Sequence, residues 1–138
     1  MAFAVANVTC VAIGGRGLLI QGPPGSGKST LALELLDRGA VLVGDDGVGL
    51  ELQGERLWAA PPANIAGKLE IRGIGIVDLP FSEAPVALAL RLVDSAPRFP
   101  EPESSDWLGR SIPQLAFAAR HPAAAIRAEH ALARFGIE

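Results

Sequence analysis

Gly22-Pro23-Pro24-Gly25-Ser26-Gly27-Lys28-Ser29 carries glycine at its first and sixth positions and ends on lysine and serine, which is the full G-x-x-x-x-G-K-[ST] pattern. Leu18-Leu19-Ile20-Gln21 runs into it as a short apolar segment of strand character, and Leu31, Leu35 and Leu36 follow it at helical spacing between Lys28 and Arg38. Strand, glycine loop and helix is the order this pattern needs. The glycines let backbone N–H groups converge on phosphate oxygens, and the helix N-terminus adds partial positive charge. Lys28 can neutralise β- and γ-phosphates as a point charge, and the Ser29 hydroxyl is placed to ligate the Mg²⁺ that accompanies a nucleotide. Gly22, Pro23, Pro24, Gly25, Ser26, Gly27, Lys28, Ser29 and the adjoining Thr30 are therefore the candidate nucleotide-binding residues.

Upstream, Val5 to Ile13 and Gly17 to Gln21 are apolar runs separated by Gly14-Gly15-Arg16-Gly17, and they read as a hairpin. Downstream, Gly39 suits a helix end and Val41-Leu42-Val43 a short buried strand. Val48 to Trp58 alternates around Gln53-Gly54-Glu55, a second hairpin, and Pro61-Pro62 ends it. Leu69 to Leu79 reads as a loop feeding a strand, because two glycines interrupt its isoleucines. Val86 to Val93 is a further strand, Pro97 to Ser105 an exposed loop, and Ala123 to Phe135 a closing helix with Ile126, Leu132 and Phe135 on one face. The expected class is α/β, a phosphate-loop (Walker A) nucleotide-binding domain with a mixed β-sheet.

The 138 residues fit one domain, 1–138. A formal net charge of -3 lacks the clustered positive charge that nucleic acid demands, so no such partner is expected. No run approaches the roughly 18 uninterrupted apolar residues of a membrane span. The apolar stretch after Met1 has no basic flank, so neither export nor insertion is expected and a cytoplasmic location follows. Cys10 is the only cysteine and reads as a small buried hydrophobe. His121 and His130 lack metal-ligand spacing, and Trp58 and Trp107 read as core-edge residues.

Asp45-Asp46 follows the Val41 strand, at the carboxyl end where open α/β sheets place ligands. One carboxylate can hold or orient a metal and the other can accept the proton of an incoming hydroxyl; a solvated turn or a pair of helix-capping residues is the plain alternative. In Leu69-Glu70-Ile71-Arg72-Gly73-Ile74-Gly75-Ile76, Glu70 can complete a Mg²⁺ shell and Arg72 can stabilise charge on a transferred phosphoryl group, or the two form a surface ion pair. The candidate catalytic residues are Asp46, Lys28, Asp45 and Arg72, and the candidate metal ligands Ser29 and Glu70.

With these elements in order, the chain from about Val5 to Pro80 resembles the catalytic, C-terminal domain of the HPr kinase/phosphorylase family, in its short form lacking the N-terminal domain. The carriers of the resemblance are the phosphate loop, Arg38-Gly39 leading to Asp45-Asp46, and Leu69 to Ile76. It implies a sheet of the HPr kinase/phosphoenolpyruvate carboxykinase type and an enzyme that uses ATP and Mg²⁺ to phosphorylate a serine of the phosphocarrier HPr, reversing the reaction with inorganic phosphate to give pyrophosphate. It implies Asp46 as the base that takes the serine proton and the acid that returns it, Lys28 on phosphate, Ser29 and Glu70 on Mg²⁺, and a homo-oligomer, commonly a hexamer. Three positions depart from the family. Asn7 stands where it has histidine, Thr30 where it usually has an acidic residue, and neither Arg110 nor Arg120 has the surroundings of its C-terminal arginine. A nucleotide-binding sensor without phosphotransfer and a small-molecule kinase or simple NTPase are the competing readings.

Overall fold

A computed structural model describes residues 2–138, the side chain of Ala2 excepted. Met1, at the head of the N-terminal apolar stretch, lies outside the described residues. The strands are β1 (Ala2–Ala6), β2 (Val8–Ile13), β3 (Arg16–Gln21), β4 (Val41–Gly44), β5 (Gly47–Gln53), β6 (Arg56–Ala60), β7 (Lys68–Ile71), β8 (Gly75–Asp78), β9 (Ala84–Leu92), β10 (Glu103–Trp107) and β11 (Arg110–Phe117). The helices are α1 (Lys28–Asp37) and α2 (Ala124–Phe135). Nine strands form one mixed sheet in the order β1-β5-β6-β9-β3-β2-β4, with β11 added to β9 and β10 to β11; β7 and β8 pair separately.

The nine-residue β9 is the centre of this sheet. Its first residues, Ala84 and Pro85, pair antiparallel with β6, and Val86 to Arg91 run parallel to β3. Ala89 to Leu92 also take β11 in parallel on the other side. Strands enclosed like this read as continuous apolar runs, and Ala84, Val86, Ala87, Leu88, Ala89, Leu90 and Leu92 are all buried. Register slips by one residue between Gly17 and Leu18, leaving Ala87 as an inserted residue; such a bulge re-aims side chains, and Ala87 and Leu88 both end on the helical face.

One face of the sheet receives α1 and α2 through Leu31, Leu35, Ala128 and Leu132, packed on Val11, Leu18, Ile20, Leu90 and Phe117. The other face packs Cys10, Leu19, Val86 and Ala89 against the β5-β6 hairpin through Val48, Leu50, Leu57 and Ala59. The two faces explain why Leu18-Leu19-Ile20 is apolar without alternation. The β2-β3 turn needs only Gly14-Gly15, both at positive φ, which is the two-residue hairpin connection whose twist suits the flanking strands.

The hairpins at 5–21 and 48–58, helix α1, and the strands at 41–43 and 86–93 form as the sequence predicts. Four details differ. The Val5 to Ile13 run breaks at Asn7, whose φ of 64° sends β1 to pair with β5 while β2 pairs with β3 and β4. Leu69 to Leu79 is a hairpin, with the turn at 72–74, because its glycines make the turn and do not interrupt a strand. Part of the expected loop at 97–105 is strand, since Glu103 to Ser105 pair with β11, and the polar run Glu103-Ser104-Ser105 carried no apolar signal. Helix α2 buries Ala124, Ala125, Ala128 and Ala131 with Leu132, whereas Ile126 is exposed; the narrow space over β9 admits methyl groups.

Two outcomes follow from this packing. Ala128 is fully buried, so Ala128→Leu overpacks the helix seat and lowers stability by about 1–3 kcal/mol, whereas Ile126→Ala changes it by no more than about 0.5 kcal/mol; urea titrations distinguish them. Burial pushes the Cys10 thiol up to about 12, partly offset by the Leu18 backbone. The folded form therefore keeps the neutral thiol while the unfolded chain ionises it above about pH 8.5, so the contribution is full below that pH and is lost as pH rises towards about 12. From pH 7 to 10 the parent loses roughly 2 kcal/mol more than Cys10→Ala, measured as the difference in their unfolding free energies at the two pH values.

Candidate phosphate-binding site

The glycine loop is the connection from β3 to α1. A Cβ at Gly22 would lie 2.6 Å from Ser26 Oγ and 3.1 Å from Leu92 Cβ, so any side chain there crowds the loop's own serine and the end of β9. Gly27 precedes α1 at φ 101°, a left-handed conformation that glycine adopts without penalty. No side chain caps the helix and no acidic residue sits in its first turn, so its leading N–H groups stay available at the positive end of the helix dipole. Thr30, where the resembled family carries an acid, is exposed on that turn.

Lys28 is buried, 8% exposed, and its Nζ donates to the carbonyls of Gly22 at 2.7 Å and Pro23 at 3.2 Å. The Ser29 hydroxyl donates to Asp45 Oδ1 at 2.7 Å. The loop is thereby tied to the end of β4, two strands away in the sheet. Asp45 Oδ1 also accepts from Thr9 Oγ1 at 3.1 Å, and the same threonine oxygen accepts the Asp46 N–H at 3.1 Å. Asp46 has φ 57°, and its carbonyl accepts the Asn7 N–H at 3.2 Å. Both sides of this aspartate's backbone are thus held, and its carboxylate is left exposed.

The structure brings Lys28, Ser29 and Asp45 together with Asp46 beside them. Glu70 joins through its backbone, whose N–H faces Asp45 Oδ2 across a long 3.5 Å contact, while the residue as a whole is exposed. Arg72 is in solvent on the β7-β8 turn and makes no hydrogen bond or ion pair among the described residues. The nearby cation is Arg120, left unassigned by the sequence reading. Its guanidinium donates to the Gly25 carbonyl, and it lines a cavity of about 260 Å³ beside the loop with Leu92, Val93 and Asp94. Thr9 was also missed. Its signal is a lone, fully buried hydroxyl in the otherwise apolar β2. Arg120 carried no signal, because only the pairing of β11 with β9 brings its neighbourhood to the loop.

Among the described residues no three His, Cys, Asp or Glu side chains group to hold a metal alone. Mg²⁺ rarely uses such a cage; it takes one or two carboxylates, a hydroxyl and substrate phosphates. The bonded Ser29 and Asp45 oxygens fit that requirement.

Fold and loop define a phosphate-loop α/β protein whose strand-end carboxylates adjoin the loop. The family is given by comparison: the model of the HPr serine kinase C-terminal domain matches residues 3–82, more than half of the chain, and the chain belongs to that family. The HPr kinase/phosphorylase of Streptococcus thermophilus (strain ATCC BAA-491 / LMD-9) is 50% identical over 70 residues, 50% of this chain and 23% of the relative. That of Clostridium tetani (strain Massachusetts / E88) is 48% identical over 67 residues, 48% of this chain and 22% of the relative. The matched segment thus spans less than a quarter of these curated relatives. The solved structure of the Hpr(Ser) kinase/phosphatase from Coxiella burnetii superposes with a TM-score of 0.80 at 29% identity, covering 92% of both chains.

Thr9→Val keeps the shape but removes the hydroxyl shared by Asp45 and the Asp46 N–H. It is expected to lower stability by about 1–3 kcal/mol, the cost of stranding a partly buried donor, and Thr9→Ser to recover most of the loss in the same chemical-denaturation measurement.

Proposed function

We propose that this chain is an ATP- and Mg²⁺-dependent protein-serine kinase and phosphorylase acting on the phosphocarrier HPr or a related carrier. The observation that carries the reading is the Ser29 to Asp45 hydrogen bond, which joins the phosphate loop to the Asp45-Asp46 pair in a chain of this family. The names of the relatives and of the solved structure support the acceptor.

In the forward direction Asp46 takes the proton of the acceptor serine as that oxygen bonds to the γ-phosphorus and the bridging oxygen leaves with ADP. In reverse the protonated Asp46 returns its proton to the serine oxygen as an inorganic phosphate oxygen attacks the phosphoserine, releasing serine and pyrophosphate. General acid–base groups of this kind contribute about 10²–10⁴-fold. Exposure of Asp46 at a turn with a pinned backbone suits a base that must meet a serine on another protein. Lys28 leaves its carbonyl partners for phosphate oxygens. Ser29, Asp45 and Glu70 would hold Mg²⁺, which supplies neutralisation of charge along the phosphate chain. Arg120 takes the role of loop-side cation, and Arg72 remains free to meet phosphate or acceptor. Ile74 and Ile76, 76% and 70% exposed on the β7-β8 hairpin, offer the acceptor an apolar contact. Assembly as a homo-oligomer, a hexamer by resemblance, and a cytoplasmic location belong to the same reading.

Asp46→Asn tests it, because asparagine also accepts left-handed backbone. With Mg²⁺, ATP and purified HPr, mass spectrometry of the parent reaction is expected to show phosphoserine. The variant is expected to form it at least about 100-fold more slowly while binding Mg·ATP within about threefold of the parent. ATP binding by the parent with no phosphoserine would instead favour the nucleotide sensor, and ATP hydrolysis indifferent to HPr a simple NTPase.

A further inference from the structure

A cavity of about 260 Å³ lies on the outer side of the glycine loop, and of its lining only the loop residues and Arg120 have a role above, whereas Leu92, Val93 and Asp94 have none. Three strands build it. β3, β9 and β11 are mutually parallel neighbours, so their carboxyl ends point the same way. Gly22 follows the first, Val93 and Asp94 the second, and Ala118 to Arg120 the third. The crevice outside the carboxyl ends of parallel strands is where open α/β sheets take ligands. Asp45, Asp46 and the β7-β8 hairpin are reached through β2 and β4, on the opposite side of β3. The phosphate loop therefore has two flanks, with paired carboxylates on one and the cavity on the other.

The lining of the cavity is divided by chemistry. Pro23, Pro24, Leu92 and Val93 offer apolar surface, Arg120 is the cation, and Asp94 is an exposed carboxylate with no hydrogen bond or ion pair among the described residues. Ser26 Oγ, also in the lining, is buried without a hydrogen-bond partner. Buried polar groups are nearly always satisfied, so an orphan of this kind marks a missing partner. An ionised carboxylate only accepts hydrogen bonds. A carboxylate at Asp94 therefore suits the part of a ligand that carries hydroxyl or amino donors, and the Arg120 guanidinium the part that carries phosphate. The size agrees, because pockets for whole drug-sized ligands run to about 300–1,000 Å³ and this one suits only part of a nucleotide.

We propose that this cavity holds the nucleoside end of a nucleoside triphosphate, that Asp94 accepts hydrogen bonds from its ribose hydroxyls, and that the phosphate chain runs from here across the loop towards Ser29 and Asp45. The proposal rests on the nucleotide reading above and extends it to direction and selectivity. The γ-phosphate comes out on the Asp46 side, facing the acceptor. Pyrophosphate, which has no sugar, leaves the cavity empty. Asp94 and Val93 are specificity-determining positions that distinguish two ligands sharing one loop.

Calorimetric titrations of the full chain with Mg·ATP, Mg·2′,3′-dideoxy-ATP and Mg·pyrophosphate test this on the parent, Asp94→Ala and Val93→Trp. Thermal melts check that each variant folds, and Asp94, exposed at the surface, serves if the tryptophan does not. Asp94→Ala is expected to weaken ATP roughly 10-fold or more, as loss of a charged hydrogen bond does, with pyrophosphate unchanged within about twofold. In the parent the dideoxy nucleotide is weaker than ATP by a similar factor, and in Asp94→Ala the two bind alike. Val93→Trp, which fills the cavity, weakens both nucleotides and spares pyrophosphate. Equal losses for ATP and pyrophosphate, or no loss in either variant, would overturn the assignment while leaving the loop as a phosphate site. A parent that binds none of the three ligands would overturn both this and the nucleotide reading.

Discussion

The parallel pairing of β3 with β9 is the contact on which the rest of the molecule depends. Both strands are covered on two faces, so each contributes to both apolar clusters, and separating them would open both at once. The same pairing fixes the working end of the protein. It brings the carboxyl end of β3, from which the glycine loop departs, beside the carboxyl end of β9. The extra residue Ala87 in β9, opposite the Gly17-Leu18 step of β3, shifts the register so that Ala87 and Leu88 both face the helices.

The phosphate loop was legible because its chemistry is written in consecutive residues. Glycine is forced by space at Gly22 and by backbone conformation at Gly27, and the ammonium and hydroxyl must follow at fixed offsets. Asp45-Asp46 stood out only beside that loop, since a strand ending in two carboxylates is by itself equally well a solvated turn. Their mutual arrangement was not legible. Thr9 precedes Asp45 by 36 residues, and only the antiparallel register of β2 with β4 brings the hydroxyl to both aspartates. The break at Asn7 did carry a signal, since a lone asparagine in an apolar run is a side chain that readily accepts left-handed backbone.

The C-terminal third was harder to read, and the family match stops at residue 82 although the likeness of fold extends over 92% of the chain. Beyond that point β9, β11 and α2 mostly pack the core, and core positions ask mainly for apolar volume, so the few polar residues at the loop, Asp94 and Arg120, stand in no recognisable pattern. Alanine sufficed along α2 where larger side chains were expected. The strand β11 contains Pro113 and alternates weakly, so nothing local announced it. Yet β11 carries the chain back to the loop, and with it Arg120.

Lys28 is held by the loop it serves. With its ammonium bonded to the Gly22 and Pro23 carbonyls and its side chain buried, Lys28 turns little of its charged end to solvent. An incoming anion has to exchange those two bonds for its own. A ligand with several oxygens can engage the ammonium and the converging amides together, so the lysine's own bonds favour partners that make many contacts at once over those that make one.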